Sequence, residues 1–265
     1  MNTPLVASNA RIKEARKLSR RSARAERRLF LADGPKALEG ALGVPDCVVE
    51  VFATPQAADE YAALLAPVSI TLVDDRAMHA LSDAVNPAGV VALCRFVDVV
   101  PRVAIDEAAR LVAIAADVRD PGNAGTLIRT ADAAGSDAVL LAGHSVDAYN
   151  AKTVRASVGS LFHLPVAIEP DPVAAVELAR QRGLRVLAAD GAGELDLFEM
   201  DDVLAEPTAW LFGNEAWGLP SELAELADHR VRIPIHGGAE SLNLSTAAAV
   251  CLYASARAQR SGRTV

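Results

Sequence analysis

Short apolar runs separated by helix-length stretches of mixed character pattern the first 96 residues. The runs are RLFLAD (28–33), CVVEVFA (47–53), SITLVD (69–74) and VVALCRF (90–96), and between them helices are predicted over 35–42, near 56–65 and near 75–82. Such alternation predicts a small α/β unit. Residues 97–110 lack a clear period and carry Pro101, which makes them the expected linker. From 111 the alternation restarts with longer members: LVAIAAD, DAVLLAG (137–143), LPVAIE (164–169), LRVLAAD (184–190), TAWLFG (208–213) and HRVRIPI (229–235). Helices are predicted over 124–134, 150–156, 172–182 and 220–227, and from about 242 to 260. These strands are apolar on both faces, as in a parallel sheet covered by helices on each side. Ligands of such sheets bind beyond the carboxyl ends of the strands, so the loops after Asp117, Gly143, Gly213 and Ile235 are where chemistry is expected.

Composition narrows the class. A chain of 265 residues that is 51% hydrophobic and 23% charged buries a core in one large or two modest domains. Cys47, Cys94 and Cys251 are far apart, with no C-x-x-C pair, so neither a zinc site nor a disulfide framework is expected. No metal site is expected elsewhere. The opening MNTPLVASNA lacks a basic segment followed by an apolar core, and no apolar run reaches the ~18 residues of a membrane helix. The expected location is the cytoplasm, without membrane contact.

The charge is unevenly spread. Residues 11–28, RIKEARKLSRRSARAERR, hold nine lysines and arginines against Glu14 and Glu26, a local +7. The whole chain carries −8, so the remainder carries −15. Ile12, Ala15, Leu18, Ser22, Ala25 and Leu29 recur at steps of three and four, which predicts one helix docking this stripe, capped by Ser8 or Asn9. A single-signed outer face repels itself unless a polyanion is present, so RNA or DNA is the expected partner, with Arg20, Arg21 and Arg24 as candidate contacts.

Three loops carry the candidate chemistry. DVRDPGNAGTLIRTADAAG (117–135) has glycines at 122, 125 and 135 and no Gly-Lys-Ser/Thr, so it is neither a dinucleotide fingerprint nor a P-loop. It supplies Asn123, expected near a helix N-cap, and Arg129, which read alone is an exposed ion-pair residue. LFGNEAWGLP (211–220) sets Glu215 between Gly213 and Gly218, and glycine permits close backbone approach, as it does in any turn. IPIHGGAESLNLS (233–245) joins a short strand to a helix whose start carries Ser241, Asn243 and Ser245, with Leu242 and Leu244 interleaved. A cap accounts for the polar residues but not for the leucines.

Taken together, NAGTLIRTA (123–131), GNEAWG (213–218) and IPIHGGAESLNLS (233–245) resemble, in order and spacing, the three motifs of the SpoU/TrmH-type RNA ribose 2′-O-methyltransferases of the SPOUT superfamily. The resemblance extends to VRASVGSLFHLPV (154–166) and to the front end, which looks like the ribosomal-protein-like RNA-binding domain of many members. One departure is Asp33-Gly34, where relatives commonly have Glu-Gly.

The resemblance implies a small α/β RNA-binding domain over 1–98 and a methyltransferase domain over 106–265, a parallel-sheet α/β fold closed by a C-terminal trefoil knot. Threading of that kind runs against the general rule for chain connections. It also implies S-adenosylmethionine as cofactor, contacted by Gly213, Ile233 and Leu242 with Leu211 nearby. Arg129 takes the central catalytic role, Glu215 orients it, and Asn243 completes the set. Asn123, Arg155 and Ser241 join the three arginines of the arm as substrate contacts. An arginine stays protonated, so Arg129 is expected to stabilise charge rather than remove a proton, and His163 and His236 are conceivable bases that also fit plain polar lining. Ribosomal RNA is favoured over tRNA, with the thiostrepton-resistance-like branch as one possibility. A catalytically silent RNA-binding protein and a nicotinamide oxidoreductase are the competing readings. The resemblance further implies a homodimer, which Ala247, Val250, Cys251 and Ala254 of the last helix support if they do not pack internally.

Overall fold

The computed structural model describes residues 3–261, so the outermost ends of the two expected domains, residues 1, 2 and 262–265, lie outside the described residues. Two compact units are present, Met1–Val97 with Asp147–His163, and Asp98–Val146 with Leu164–Val265.

The first unit is built on a four-stranded mixed sheet. Its strands are β1 (Leu29–Asp33), β2 (Val48–Ala53), β3 (Ile70–Leu72) and β4 (Val90–Arg95), in the order β1-β4-β2-β3. β4 runs antiparallel to β1 and β2, and β3 parallel to β2. All four match the apolar runs. The helix expected near 56–65 is interrupted at Tyr61, giving Pro55–Glu60 and Ala62–Leu65. The stretch 147–163, which sequence assigns to the methyltransferase segment, packs in this unit. Tyr149 stacks 3.7 Å from Phe96 and lies 4.7 Å from Phe30, and its hydroxyl accepts the Val97 N–H at 2.8 Å.

The basic segment is not one helix. Asn9 caps a helix Ala10–Arg16, a 3₁₀ turn follows over Lys17–Ser19, Arg20 is extended (φ −93°, ψ 133°), and a second helix spans Arg21–Arg27. The apolar stripe holds through Ile12, Ala15 and Leu18, all buried, and then ends, because Ser22 and Ala25 are exposed while Arg24 is 4% exposed. Arg24 explains the break. Its Nη1 donates to the carbonyls of Leu18 and Ser19 at 2.8 and 2.9 Å, satisfying acceptors that a continuing helix would have paired with backbone N–H groups. Its Nε and Nη2 donate to Asp147 at 2.9 and 2.6 Å. The expectation that Arg24 contacts RNA is therefore corrected: its guanidinium is buried and engaged by this chain.

Removing one member of a buried pair leaves the other charge uncompensated, at about 3–5 kcal/mol. Arg24→Ala is expected to lower unfolding free energy by about that amount in urea titrations, while Arg21→Ala, at an exposed position, changes it by about 0.5 kcal/mol or less. Equal effects of the two substitutions would contradict the assignment.

The second unit carries a seven-stranded sheet: β5 (Leu111–Ala116), β6 (Ala138–Ala142), β7 (Val166–Glu169), β8 (Arg185–Ala189), β9 (Leu195–Asp196), β10 (Thr208–Phe212) and β11 (His229–Arg232). The order is β7-β6-β5-β10-β8-β11-β9 and every pairing is parallel, as the two-faced apolar runs predict. β5, β6 and β10 are buried along their whole length. The short β9 and the helix Asp201–Leu204 were not legible, since two residues of strand and four of helix give no period.

Helix Leu244–Ser261 closes this unit against helix Pro121–Ala134. Its inward stripe is Ala248, Cys251, Leu252, Ser255, Ala256 and Gln259. Ser255 accepts the Trp210 indole N–H at 2.8 Å, and the Gln259 amide donates to the carbonyls of Arg110 and Glu206 at 3.0 and 2.9 Å. Cys251, one of the four residues expected to support a dimer face, is thus internal; Ala247, Val250 and Ala254 are half-buried.

Candidate active site

The carboxyl ends of β5, β6 and β10 are locked together around one strained residue. Asp117, directly after β5, has φ 56°, a left-handed conformation that costs a residue with a Cβ about 1–3 kcal/mol. Three hydrogen bonds hold it there. Its N–H donates to Ala142 O at 3.1 Å, its carboxylate accepts the His144 N–H at 2.7 Å, and its carbonyl accepts the Asn214 side-chain amide at 2.7 Å. Asn214, buried after β10, also pairs its backbone in both directions with Gly218 at 2.9 Å. The loop 213–218 is therefore a closed turn anchored on the β5 loop.

Helix Pro121–Ala134 begins from that same loop. Asp120 is its N-cap, accepting the Asn123 N–H at 2.8 Å, with Pro121 in the first turn, so the cap lies three residues before the expected position. Glu215 adds a second clasp: its carboxylate accepts the backbone N–H groups of Arg119 and Asp120 at 3.1 and 3.0 Å and the Asn123 side-chain amide at 3.2 Å. Partial burial pushes the Glu215 carboxyl up, but the N–H groups of Glu215 itself, Arg119 and Asp120, with the Asn123 amide, outweigh it and hold the group below the ordinary carboxylate value. Glu215 is an anion at neutral pH.

Asn123 links this clasp to the third loop. Its Oδ1 accepts the Asn243 side-chain amide at 3.0 Å, and Asn243 in turn caps the last helix, accepting from the N–H and hydroxyl of Ser245 at 2.9 and 2.6 Å. One residue from each of the three motifs is thus joined in the chain Glu215–Asn123–Asn243. Arg129 lies further along the same helix, exposed and without an ion pair among the described residues.

A cavity of about 360 Å3 opens beside this network. Gly213, Ile233, Leu242, Glu215 and Ser241, five of the residues expected at the site, line it. Phe212, Ile235 and Leu244 add apolar wall, while Asp190 and Glu240 add carboxylates. The interleaved Leu242 and Leu244 are therefore cavity wall, not a flaw in the cap. Asp190 and Gly191, which follow β8, were missed by the sequence reading, although the rule that drew attention to the other strand ends applies equally to LRVLAAD.

Not every expected residue arrives. Leu211 is fully buried in the core and does not line the cavity: it sits within β10 in the cluster of Ile114, Leu140 and Val186, and the next residue, Phe212, reaches the cavity instead. Arg155 lies in the first unit, paired with Asp83 and 3.8 Å from Asp33. Arg20 and Arg21 are exposed in the first unit. His236 lies exposed in the loop after β11, and His163 falls in the first unit.

Residues 110–253 match the SpoU rRNA Methylase family. The chain belongs to that family. Residues 9–92 match the MRM3-like substrate binding domain, so the SpoU segment is preceded by a second recognisable one. Among curated SpoU-type relatives, the 23S rRNA (guanosine(2553)-2′-O)-methyltransferase RlmP of Bacillus subtilis is 33% identical over 93% of this chain and 96% of its own. The SpoU methyltransferase AviRb of Streptomyces viridochromogenes, solved in complex with the cofactor AdoMet, has a TM-score of 0.84 at 31% identity, covering 96% of this chain and 100% of that one. The AdoMet-bound rRNA methyltransferase of Sinorhizobium meliloti gives 0.82 at 32%, over 96% and 97%.

Proposed function

We propose that this chain transfers a methyl group from S-adenosylmethionine to a ribose 2′-hydroxyl of ribosomal RNA. The observation that carries the reading is the charge of the cavity. Asp190, Glu215 and Glu240 line it, and among the described residues no lysine, arginine or histidine does. Such a lining favours a cofactor bearing a sulfonium and an ammonium over one bearing a pyrophosphate. This weighs against the nicotinamide reading independently of the missing glycine fingerprint. Gly213, Ile233 and Leu242 would hold the cofactor, the two side chains as apolar walls. When bound, S-adenosylmethionine supplies an electrophilic methyl group activated by the sulfonium charge.

The chain's own residues supply position and electrostatics. Glu215 and Asn123 fix the mouth of helix Pro121–Ala134, and Asn243 ties that mouth to the last helix. Arg129 remains protonated, so its role is to stabilise the alkoxide that develops at the ribose oxygen and to hold a neighbouring phosphate. Ser241, in the cavity wall, and Asn123 are proposed to contact the nucleotide. Lys13, Arg16, Arg20 and Arg21, exposed and without ion pairs among the described residues, are the proposed phosphate contacts of the arm, Arg24 being excluded. The ribosomal substrate is supported by a relative named for 23S rRNA, RlmP of Bacillus subtilis, that matches 93% of this chain. An intact Glu215–Asn123–Asn243 network argues against a silent protein.

The trefoil knot belongs to the proposal. Its support is strand order: β11 lies between β8 and β9, which are joined directly by residues 190–194. That connection presses on β11 so closely that a Cβ on Gly193 would lie 2.7 Å from the Arg230 backbone. A homodimer through the last helix, where Tyr253 is half exposed, is also proposed. Light scattering should give twice the 27.7 kDa chain mass, and a monomer at micromolar concentration contradicts it. The cytoplasm is the proposed location.

Isothermal titration of the full chain tests the cofactor. S-adenosylmethionine is expected to bind and NAD to give no heat. The reverse result would return the oxidoreductase reading.

A further inference from the structure

Two tryptophans serve this chain in opposite ways. Trp210 is fully buried in β10. Trp217 is 60% exposed, in the turn between Gly213 and Gly218. Burying an indole in its own core is the ordinary use of so large an apolar surface, and leaving one in water on a loop calls for a reason. Local folding does not supply one. The turn is held by the Asn214–Gly218 backbone pair, by the Asn214 amide on Asp117 and by the Glu215 clasp, none of which uses the Trp217 side chain.

The place of Trp217 in the chain narrows its partner. Its chain neighbours Ala216 and Gly218 both line the cavity, and Glu215, two residues before it, belongs to the hydrogen-bonded network. Its exposed neighbours along the chain are small or polar, Ala216, Gly218, Pro220, Ser221 and Glu222, and the exposed apolar side chains of the cavity, Ile235 and Leu242, belong to the third loop and are part of the cavity wall. On this turn a second copy of the chain would meet one large apolar side chain, Trp217. A nucleobase matches a single ring. It offers a flat π-face, and stacking on an aromatic side chain is the common way that proteins hold an unpaired base. The anchors hold the turn before substrate arrives, so little ordering accompanies the contact.

We propose that Trp217 is the stacking platform for the base of the nucleotide whose ribose is methylated, a positioning residue that sets substrate affinity and not the methyl-transfer step. The inference rests on the RNA methyltransferase reading. Stacking is sequence-tolerant, so Trp217 holds the nucleotide without choosing its base.

Steady-state kinetics on an in vitro 23S rRNA transcript, with tritiated S-adenosylmethionine, tests it. A stacked base contributes about 1–3 kcal/mol, so Trp217→Ala is expected to raise KM for RNA about 5- to 150-fold with kcat within about threefold, and Trp217→Phe to restore most of the loss. In the unreacted protein with S-adenosylhomocysteine, the transcript is expected to quench the exposed tryptophan emission, and Trp217→Phe to lose that quenching while buried Trp210 keeps its own. An unchanged KM in Trp217→Ala, with wild type active, overturns the stacking role alone. Conversion of Trp217→Ala to a monomer in light scattering also overturns it, in favour of a contact between copies. A wild type that binds the cofactor but methylates no transcript removes the function on which the inference rests. Cofactor affinity within about twofold of wild type establishes that the variants are folded.

Discussion

Arg129→Ala is expected to lose methyl transfer by about 10²- to 10³-fold in kcat, the range found when one preorganised donor to a developing oxyanion is removed. Three features of the site make the loss selective. The residue is absent from the cavity wall, so S-adenosylmethionine affinity is expected to stay within about twofold. It has no ion pair among the described residues and is exposed, so unfolding free energy changes by about 0.5 kcal/mol or less. One guanidinium among the many cations proposed to contact phosphates is expected to leave RNA affinity nearly intact. Arg129→Lys keeps the charge but not the planar fork, so it should recover only part of the rate. Rapid-quench single-turnover measurements separate the chemical step from binding. Full single-turnover rate in Arg129→Ala would make Arg129 a surface cation and move the chemistry elsewhere.

Gly213→Ala is expected to damage cofactor binding from a position where no side chain is lost. A Cβ there would lie 2.4 Å from the carbonyl carbon of Gly218, 2.5 Å from its oxygen and 2.5 Å from the Leu219 nitrogen. All three are backbone atoms of the closed turn, so the turn itself must move. The Asn214–Gly218 pair and the Glu215 clasp then shift with it. Overpacking of this kind costs about 1–3 kcal/mol, which if exacted on the bound form is about 5- to 150-fold in cofactor affinity. Gly237→Ala, where an added Cβ meets nothing within 4 Å, is the matched control and should bind like wild type in the same calorimetric titration. Equal affinities for the two variants would contradict the role assigned to the turn.

How far the residues announce this structure depends on the range of the interaction that decides each feature. Apolar runs such as LVAIAAD and TAWLFG become β5 and β10 because a strand buried on both faces has few alternatives, and each pattern is contained in its own segment. The three motifs converge for a related reason: every one follows a strand of one parallel sheet, so all the loops open at the same edge. Features decided by distant partners were not legible. Arg24 is a cation like its neighbours until Asp147, 123 residues away, and the carbonyls of Leu18 and Ser19 are known to surround it. The break at Arg20 follows from the same contacts. Leu211 and Phe212 are adjacent apolar residues, and only the direction of the pleat decides which of them meets the cavity. The assignment of 147–163 to the first unit turns on Tyr149 finding Phe30 and Phe96, an encounter that no local period encodes.

The central claim is that this chain methylates a ribose 2′-hydroxyl of ribosomal RNA. Ribose 2′-O-methylation mapped across total RNA, from cells with and without the protein, tests that claim most directly. The account predicts one position in ribosomal RNA that is methylated when the protein is present, unmethylated in its absence, and restored by the wild-type chain but not by Arg129→Ala. Identical ribosomal RNA profiles, or a change confined to tRNA, would contradict it.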